Sequence, residues 1–183
     1  MTAEDWIERG LALQAEGNDT EAQKAFSKAL ELEPEHIHAL YNLGVSFIDL
    51  EEFREAEGLL KKATGLDPGY ARAWNGYGWA LLNLGLQTEA SQAFLFAIDL
   101  EPGWTLPRRN LGILHIDRKD FSRAEDIFLE ATIIDPGEAA NWHHLGSIRM
   151  IREDYSNAID QYLQATEIDP GYCDSWHDLG IAY

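Results

Sequence analysis

The chain has 183 residues, 45% of them apolar, and carries 32 acidic against 14 basic side chains for a net charge of -18 at pH 7. That charge works against nonspecific binding to nucleic acid or an anionic membrane, and no apolar run approaches the roughly eighteen residues of a membrane span. The single cysteine, Cys173, excludes an internal disulfide framework; with acids at Glu4 and Asp5 where a secretory leader needs bases, a cytoplasmic location is favoured.

The first 34-residue unit, 3–36, sets the pattern. Trp6, Gly10 and Leu13 recur at helical spacing, the polar stretch Glu16-Gly17-Asn18-Asp19 interrupts, and Ala22, Ala25, Phe26, Ala29 and Leu30 mark a second helix. Asn18, Asp19 or Thr20 is the expected cap of that second helix, since a short polar side chain accepts the first free backbone N–H groups. Leu32-Glu33-Pro34-Glu35 ends it, because proline cannot continue a helix interior.

That ending returns as Leu66-Asp67-Pro68-Gly69, Leu100-Glu101-Pro102-Gly103, Ile134-Asp135-Pro136-Gly137 and Ile168-Asp169-Pro170-Gly171, always 34 residues on. A fixed period of this length predicts stacked helical repeats. The second unit, 37–70, carries Leu40, Leu43, Gly44 and Phe47, then Ala56, Leu60 and Ala63; the third, 71–104, carries Trp74, Tyr77, Gly78 and Leu81, then Ala90, Phe94 and Ala97. Small residues recur where helices approach closely and large ones where the remaining gap needs filling.

The fourth unit, 105–138, keeps Leu111, Gly112, Ala124, Phe128 and Ala131 but has Arg108 in the tryptophan position and His115 in a large apolar one. Pro107 falls in a first turn, where its missing N–H costs little. The fifth, 139–172, has Trp142, Gly146, Ala158, Tyr162 and Ala165, with Arg149 in the large-residue position. A partial sixth, 173–183, supplies Trp176, Leu179, Gly180 and Tyr183, and the outward faces of Trp176 and Tyr183 lack the helix that covers their equivalents. Either this helix caps the array or a longer protein continues beyond it. Gly69, Gly103, Gly137 and Gly171 are read as turn glycines that need conformational freedom.

These residues in phase resemble the tetratricopeptide repeat family. The resemblance rests on Trp6/Leu40/Trp74/Trp142/Trp176, the six glycines from Gly10 to Gly180, Ala22/Ala56/Ala90/Ala124/Ala158, Phe26/Leu60/Phe94/Phe128/Tyr162, Ala29/Ala63/Ala97/Ala131/Ala165 and the five prolines, and it spans residues 3–183. It implies an all-α, right-handed α-solenoid of antiparallel helix pairs: five full repeats and the first helix of a sixth, forming one domain. The first helix of each pair would line a concave groove that binds peptides or extended protein segments.

On that arrangement Ile7, Leu11, Tyr41, Val45, Ile48, Trp79, Leu82, Leu106, Ile113, Ile116, Met150 and Ile181 line the groove, with burial between adjacent first helices the alternative for Val45, Ile48, Leu82, Ile113 and Ile116. The expected partner-binding residues are Tyr41, Asn42, Arg72, Asn75, Trp79, Arg109, Asn110, His143 and His177, with Trp79 the anchor. Asn42 and Arg72 fit two places of the clamp by which one branch of the family grips acidic carboxyl termini. Ile7, Leu11 and Gly76 depart from it. The bases Arg108, Arg109, Arg118, Lys119 and Arg123 suggest a local patch that receives a carboxylate.

His143 and His177, with His144, Asp174 and Asp178 nearby, lack a compact ligand spacing, and neither a catalytic constellation nor a cofactor motif stands above the repeat. The expected function is therefore a noncatalytic protein-interaction scaffold without cofactor or metal, whose partner is a protein or peptide and not nucleic acid or a membrane. The alternatives are a homo-oligomer assembled through the C-terminal repeat face and a regulatory array attached to an enzyme.

Overall fold

The computed structural model describes residues 1–183 as eleven α-helices without strands. They fall into two compact units, Met1–Glu101 and Pro102–Tyr183. The first unit contains α1 (Ala3–Ala15), α2 (Asp19–Leu32), α3 (Ile37–Asp49), α4 (Phe53–Leu66), α5 (Ala71–Asn83) and α6 (Gln87–Leu100). The second contains α7 (Leu106–Asp117), α8 (Phe121–Ile134), α9 (Ala139–Ile151), α10 (Tyr155–Ile168) and α11 (Cys173–Ala182). Consecutive helices within each unit pack as antiparallel pairs, α1 on α2, α3 on α4 and α5 on α6 in the first, α7 on α8 and α9 on α10 in the second, and α11 adds to α10. This is the all-α stack of helix pairs predicted by the period.

One contact sets the closeness of every complete pair. A Cβ added to Gly44, Gly78, Gly112 or Gly146 would sit 2.6 to 2.8 Å from Leu60, Phe94, Phe128 or Tyr162, and Gly10 faces Phe26 in the same way. The large partner is at most 1% exposed each time. The first helix supplies a notch and the second a knob, so substituting either side costs packing. Gly180 on α11 has no neighbouring atom within 4 Å, leaving its notch open.

The proline turns share a second contact, which the sequence pattern does not announce. The indole N–H groups of Trp74, Trp142 and Trp176 donate to the carbonyls of Pro68, Pro136 and Pro170 at 2.8, 2.9 and 3.0 Å. Where tryptophan is missing, a cation takes over: Lys62 Nζ donates to Pro34 O and Arg108 Nη1 to Pro102 O, both at 2.6 Å. Arg108 is thus buried as a replacement donor, and its Nε reaches Glu130 at 3.2 Å. Pro107 lies in the first turn of α7 without disrupting it.

Helix capping and turn chemistry differ from expectation. Thr2 and Asp5 form a capping box at α1, whereas Asn18 occupies the cap of α2 but turns its amide to Glu16. Gly69, Gly137 and Gly171 do not adopt left-handed backbone; their N–H groups donate to Asp67, Asp135 and Asp169 at 2.9 to 3.0 Å. The left-handed position lies inside each repeat, between its two helices, at Gly17, Glu51, Gly85, Lys119 and Glu153. Only two of those five are glycine, which hid the position in the sequence.

Candidate functional site

The first helices of a unit touch along one face, α3 against α5 in the first unit and α9 against α11 in the second. Their edges are finished by the residue that precedes the next first helix. His36, Tyr70, Glu138 and Tyr172 occupy the N-caps of α3, α5, α9 and α11, and none of them caps its own helix with its side chain. Each turns back onto the preceding first helix. His36 Nε2 lies 3.1 Å from Glu4, the Tyr70 ring stands 5.0 Å from Tyr41, Arg109 donates to Glu138 at 3.2 Å, and Tyr172 stands 5.2 Å from His143. The side chains vary in step: aromatic meets aromatic, and acid meets base.

In the first unit this leaves a mixed aromatic and cationic surface. Tyr41 and Asn42 are half-buried on α3, and His38 packs its ring 5.7 Å from Tyr70. Burial next to Tyr41 pushes the Tyr70 phenol up to about 12, so it remains a hydrogen-bond donor at any physiological pH. Arg72 is exposed, close enough to Tyr41 and Tyr70 to favour their ionised forms, and forms no salt bridge. Trp79 is half-buried seven residues further along α5. At about 1.5 Å of rise per residue, it stands on the same face roughly 10 Å from Arg72. Asn75, between them in sequence, is 9% exposed and engaged within the protein.

The second unit keeps more of its candidates for itself. Arg109 is tied to Glu138, and Asn110 is buried and engaged. His143 is buried beneath Tyr172 and Tyr162; its Nδ1 lies 3.1 Å from Ser175 Oγ and its Nε2 4.0 Å from Asp178. A proton on Nε2 faces the carboxylate and leaves Nδ1 to accept from the serine hydroxyl. The trio has the composition of a hydrolytic triad, but Ser175 is 0% exposed and out of reach of any substrate. It ties α11 to α9. Burial lowers the His143 pKa and holds His144, stacked on Phe128, at about 4. His177 is exposed on α11, and no three metal-ligating side chains converge.

Two expectations change in the structure, and the packing role of Arg149 gains its partners. Ile7 is 3% exposed and belongs to the core with Ala3, Phe26 and Leu43, not to a groove. The basic stretch of the fourth repeat is partly spent on internal pairs: Arg108, Arg109 and Arg123 contact Glu130, Glu138 and Asp120, while Arg118 and Lys119 are exposed. Arg149 is half-buried between Glu125 and Asp154, with Arg152 also on Glu125, so it is an ion-paired packing residue at the α8–α9–α10 junction.

Comparison with family models places tetratricopeptide repeat units at residues 3–36 and 41–103 and a TPR repeat at 146–183. The chain belongs to the tetratricopeptide repeat family, whose members are characteristically noncatalytic protein-interaction scaffolds. Curated proteins return no significant sequence match. Among solved structures it is similar to TTC0263, a thermophilic TPR protein of Thermus thermophilus, at 19% identity over 99% of this chain and 98% of that one, with a TM-score of 0.83. It is also similar to pilF of Pseudomonas aeruginosa (24% identity, 94% and 79% covered, TM-score 0.83). YrrB, a TPR protein with an unusual peptide-binding site, matches at 22% identity over 94% and 89%, with a TM-score of 0.70. These identities bear on the fold alone. No helix is long and apolar enough to cross a membrane.

Proposed function

We propose that the scaffold binds an extended protein segment on the first-helix face of the first unit, with Trp79 as apolar anchor and Arg72 as the group that sets register. The observation that carries this reading is the pairing on α5 of an exposed cation without a salt bridge and a half-buried tryptophan, beside the Tyr41–Tyr70 pair. In a protein of charge -18 such a cation is a distinctive point for an acidic side chain or terminal carboxylate. Helix packing holds these groups in place before binding, so most of the ordering cost falls on the partner. Asn42 would bond the partner's backbone, and Asn75 contributes by shaping this surface; in the second unit His177 is exposed for a contact of its own, while Arg109, Asn110 and His143 are engaged within that unit. YrrB supports the class of ligand by its described peptide-binding site. Peptides selected on the intact protein should lose about 1 to 4 kcal/mol of affinity with Trp79→Ala. Unchanged affinity in a folded variant sinks the assignment.

The end face of α11 supports a second reading, self-association. Trp176 and Tyr183 are 50% and 82% exposed beside the open Gly180 notch. Sedimentation across a dilution series tests it: an oligomer that Trp176→Ala and Tyr183→Ala dissolve supports it, and a monomer at all concentrations excludes it.

A further inference from the structure

The outer side of α6 breaks the pattern of its unit. At the two positions where α2 has Ser27 and Lys28 and α4 has Lys61 and Lys62, α6 has Leu95 and Phe96, which are 47% and 53% exposed. In α2 and α4 this place does polar work, since Lys28 pairs with Glu31 and Lys62 with the Pro34 carbonyl; in α8 and α10 the first of the two positions is leucine but the second stays polar, as Glu130 and Gln164. Phe96 covers one face of Trp74, yet about half of Leu95 and of Phe96 stays in water, which costs hydration free energy.

The face is also ordered and slightly concave. Phe96 stacks on Trp74 with ring centres 4.8 Å apart, and Trp74 is itself held by its bond to Pro68. Leu95 and Phe96, with Gln92 and Asp99, line a shallow depression of about 340 Å³. The helix carries Glu89 and Asp99 and neither lysine nor arginine. A second copy of a chain with charge -18 would bring acid against acid, whereas a cationic segment gains from the field of the whole molecule.

We propose that the outer face of α6 is a second docking surface, one that takes a basic amphipathic segment of a partner protein, its apolar side chains on Leu95 and Phe96 and its cations toward Asp99 and Glu89. This site is separate from the α5 face described above and does not depend on it.

The test uses the intact protein and two synthetic helical peptides of about eighteen residues with the same leucine face, one otherwise lysine and one otherwise glutamate. Titration calorimetry and amide chemical shifts are recorded for each. The lysine peptide is expected to saturate the protein with shifts centred on α6, and Phe96→Lys, a residue type the fold already accepts at this position in α2 and α4, is expected to weaken it about tenfold. Asp99→Asn should weaken it about threefold at low salt, with the difference fading as salt rises. Trp79→Ala should leave it unchanged. Equal binding of the glutamate peptide, no saturable binding, or full affinity in Phe96→Lys overturns the proposal. So does a dimer of the free protein that Phe96→Lys dissolves, because that result assigns the face to a second copy.

Discussion

Single residues carry the closest fits in this molecule, and two of them make opposite predictions for the same substitution. Gly78→Ala drives a Cβ to 2.7 Å from the Phe94 ring and should destabilise by about 1 to 3 kcal/mol in urea unfolding. Gly180→Ala meets nothing within 4 Å in a helix and should be neutral or stabilise by up to about 1 kcal/mol. Equal losses would show that the notch is not what sets the pair spacing. Asn141 is a different case. It is 0% exposed with both amide atoms unpartnered, at the repeat position where α3 and α5 have the buried alanines Ala39 and Ala73. Relieving the unpaired amide should make Asn141→Ala more stable by about 1 to 3 kcal/mol, read as a higher midpoint of thermal unfolding; a lower midpoint would mean that the amide is bonded in solution.

At the level of the helix pair, the loop between the two helices forces a left-handed residue in every complete repeat, at φ 60 for Lys119 and φ 78 for Gly85. Lys119→Gly should therefore stabilise by about 0.5 to 1 kcal/mol, the strain relieved less the added freedom of the unfolded chain, while Gly85→Ala should cost about 1 kcal/mol. If chemical denaturation ranks the two the other way, the strain argument fails. The helices themselves were legible in the sequence because notch and knob repeat in phase and each proline closes a unit. The turn chemistry was not, since three different residue types fill the left-handed site, and Asp-Pro-Gly resembles a turn needing glycine when its N–H is what the aspartate uses. Part of the candidate face was legible for a related reason. Helical spacing puts Arg72 and Trp79 on one side of α5, but Asn75, Asn110 and His143 are covered by neighbours whose size no periodicity encodes. The contacts of Tyr70, Glu138 and Tyr172 lie at helix junctions, outside the small-and-large alternation.

At the scale of the molecule, titration and binding should have separate addresses. Burial depresses the pKa of His115, His143 and His144 in the second unit, His144 to about 4 from an ordinary 6.5. Above pH 6.5 the His144 imidazole is neutral in folded and unfolded chains alike; between 6.5 and about 4 the unfolded chain takes the proton more readily, so stability falls with falling pH. The His144 contribution is on the order of 3 kcal/mol, and His144→Phe, which keeps a ring on Phe128, should flatten the urea-unfolding profile between about pH 6.5 and 4. An unchanged slope would place the sensitivity elsewhere. The proposed binding at the α5 face uses none of these histidines, so it should not follow their titration while the protein stays folded.

The most direct test of that face is an amide and indole chemical-shift map of the intact protein bound to a selected peptide at neutral pH. Perturbations of the Trp79 indole and of α3 and α5 near Tyr41 and Arg72 are expected, with Phe96 unaffected. A saturated complex in which Trp79 and Arg72 are unmoved would contradict the assignment of binding to that face.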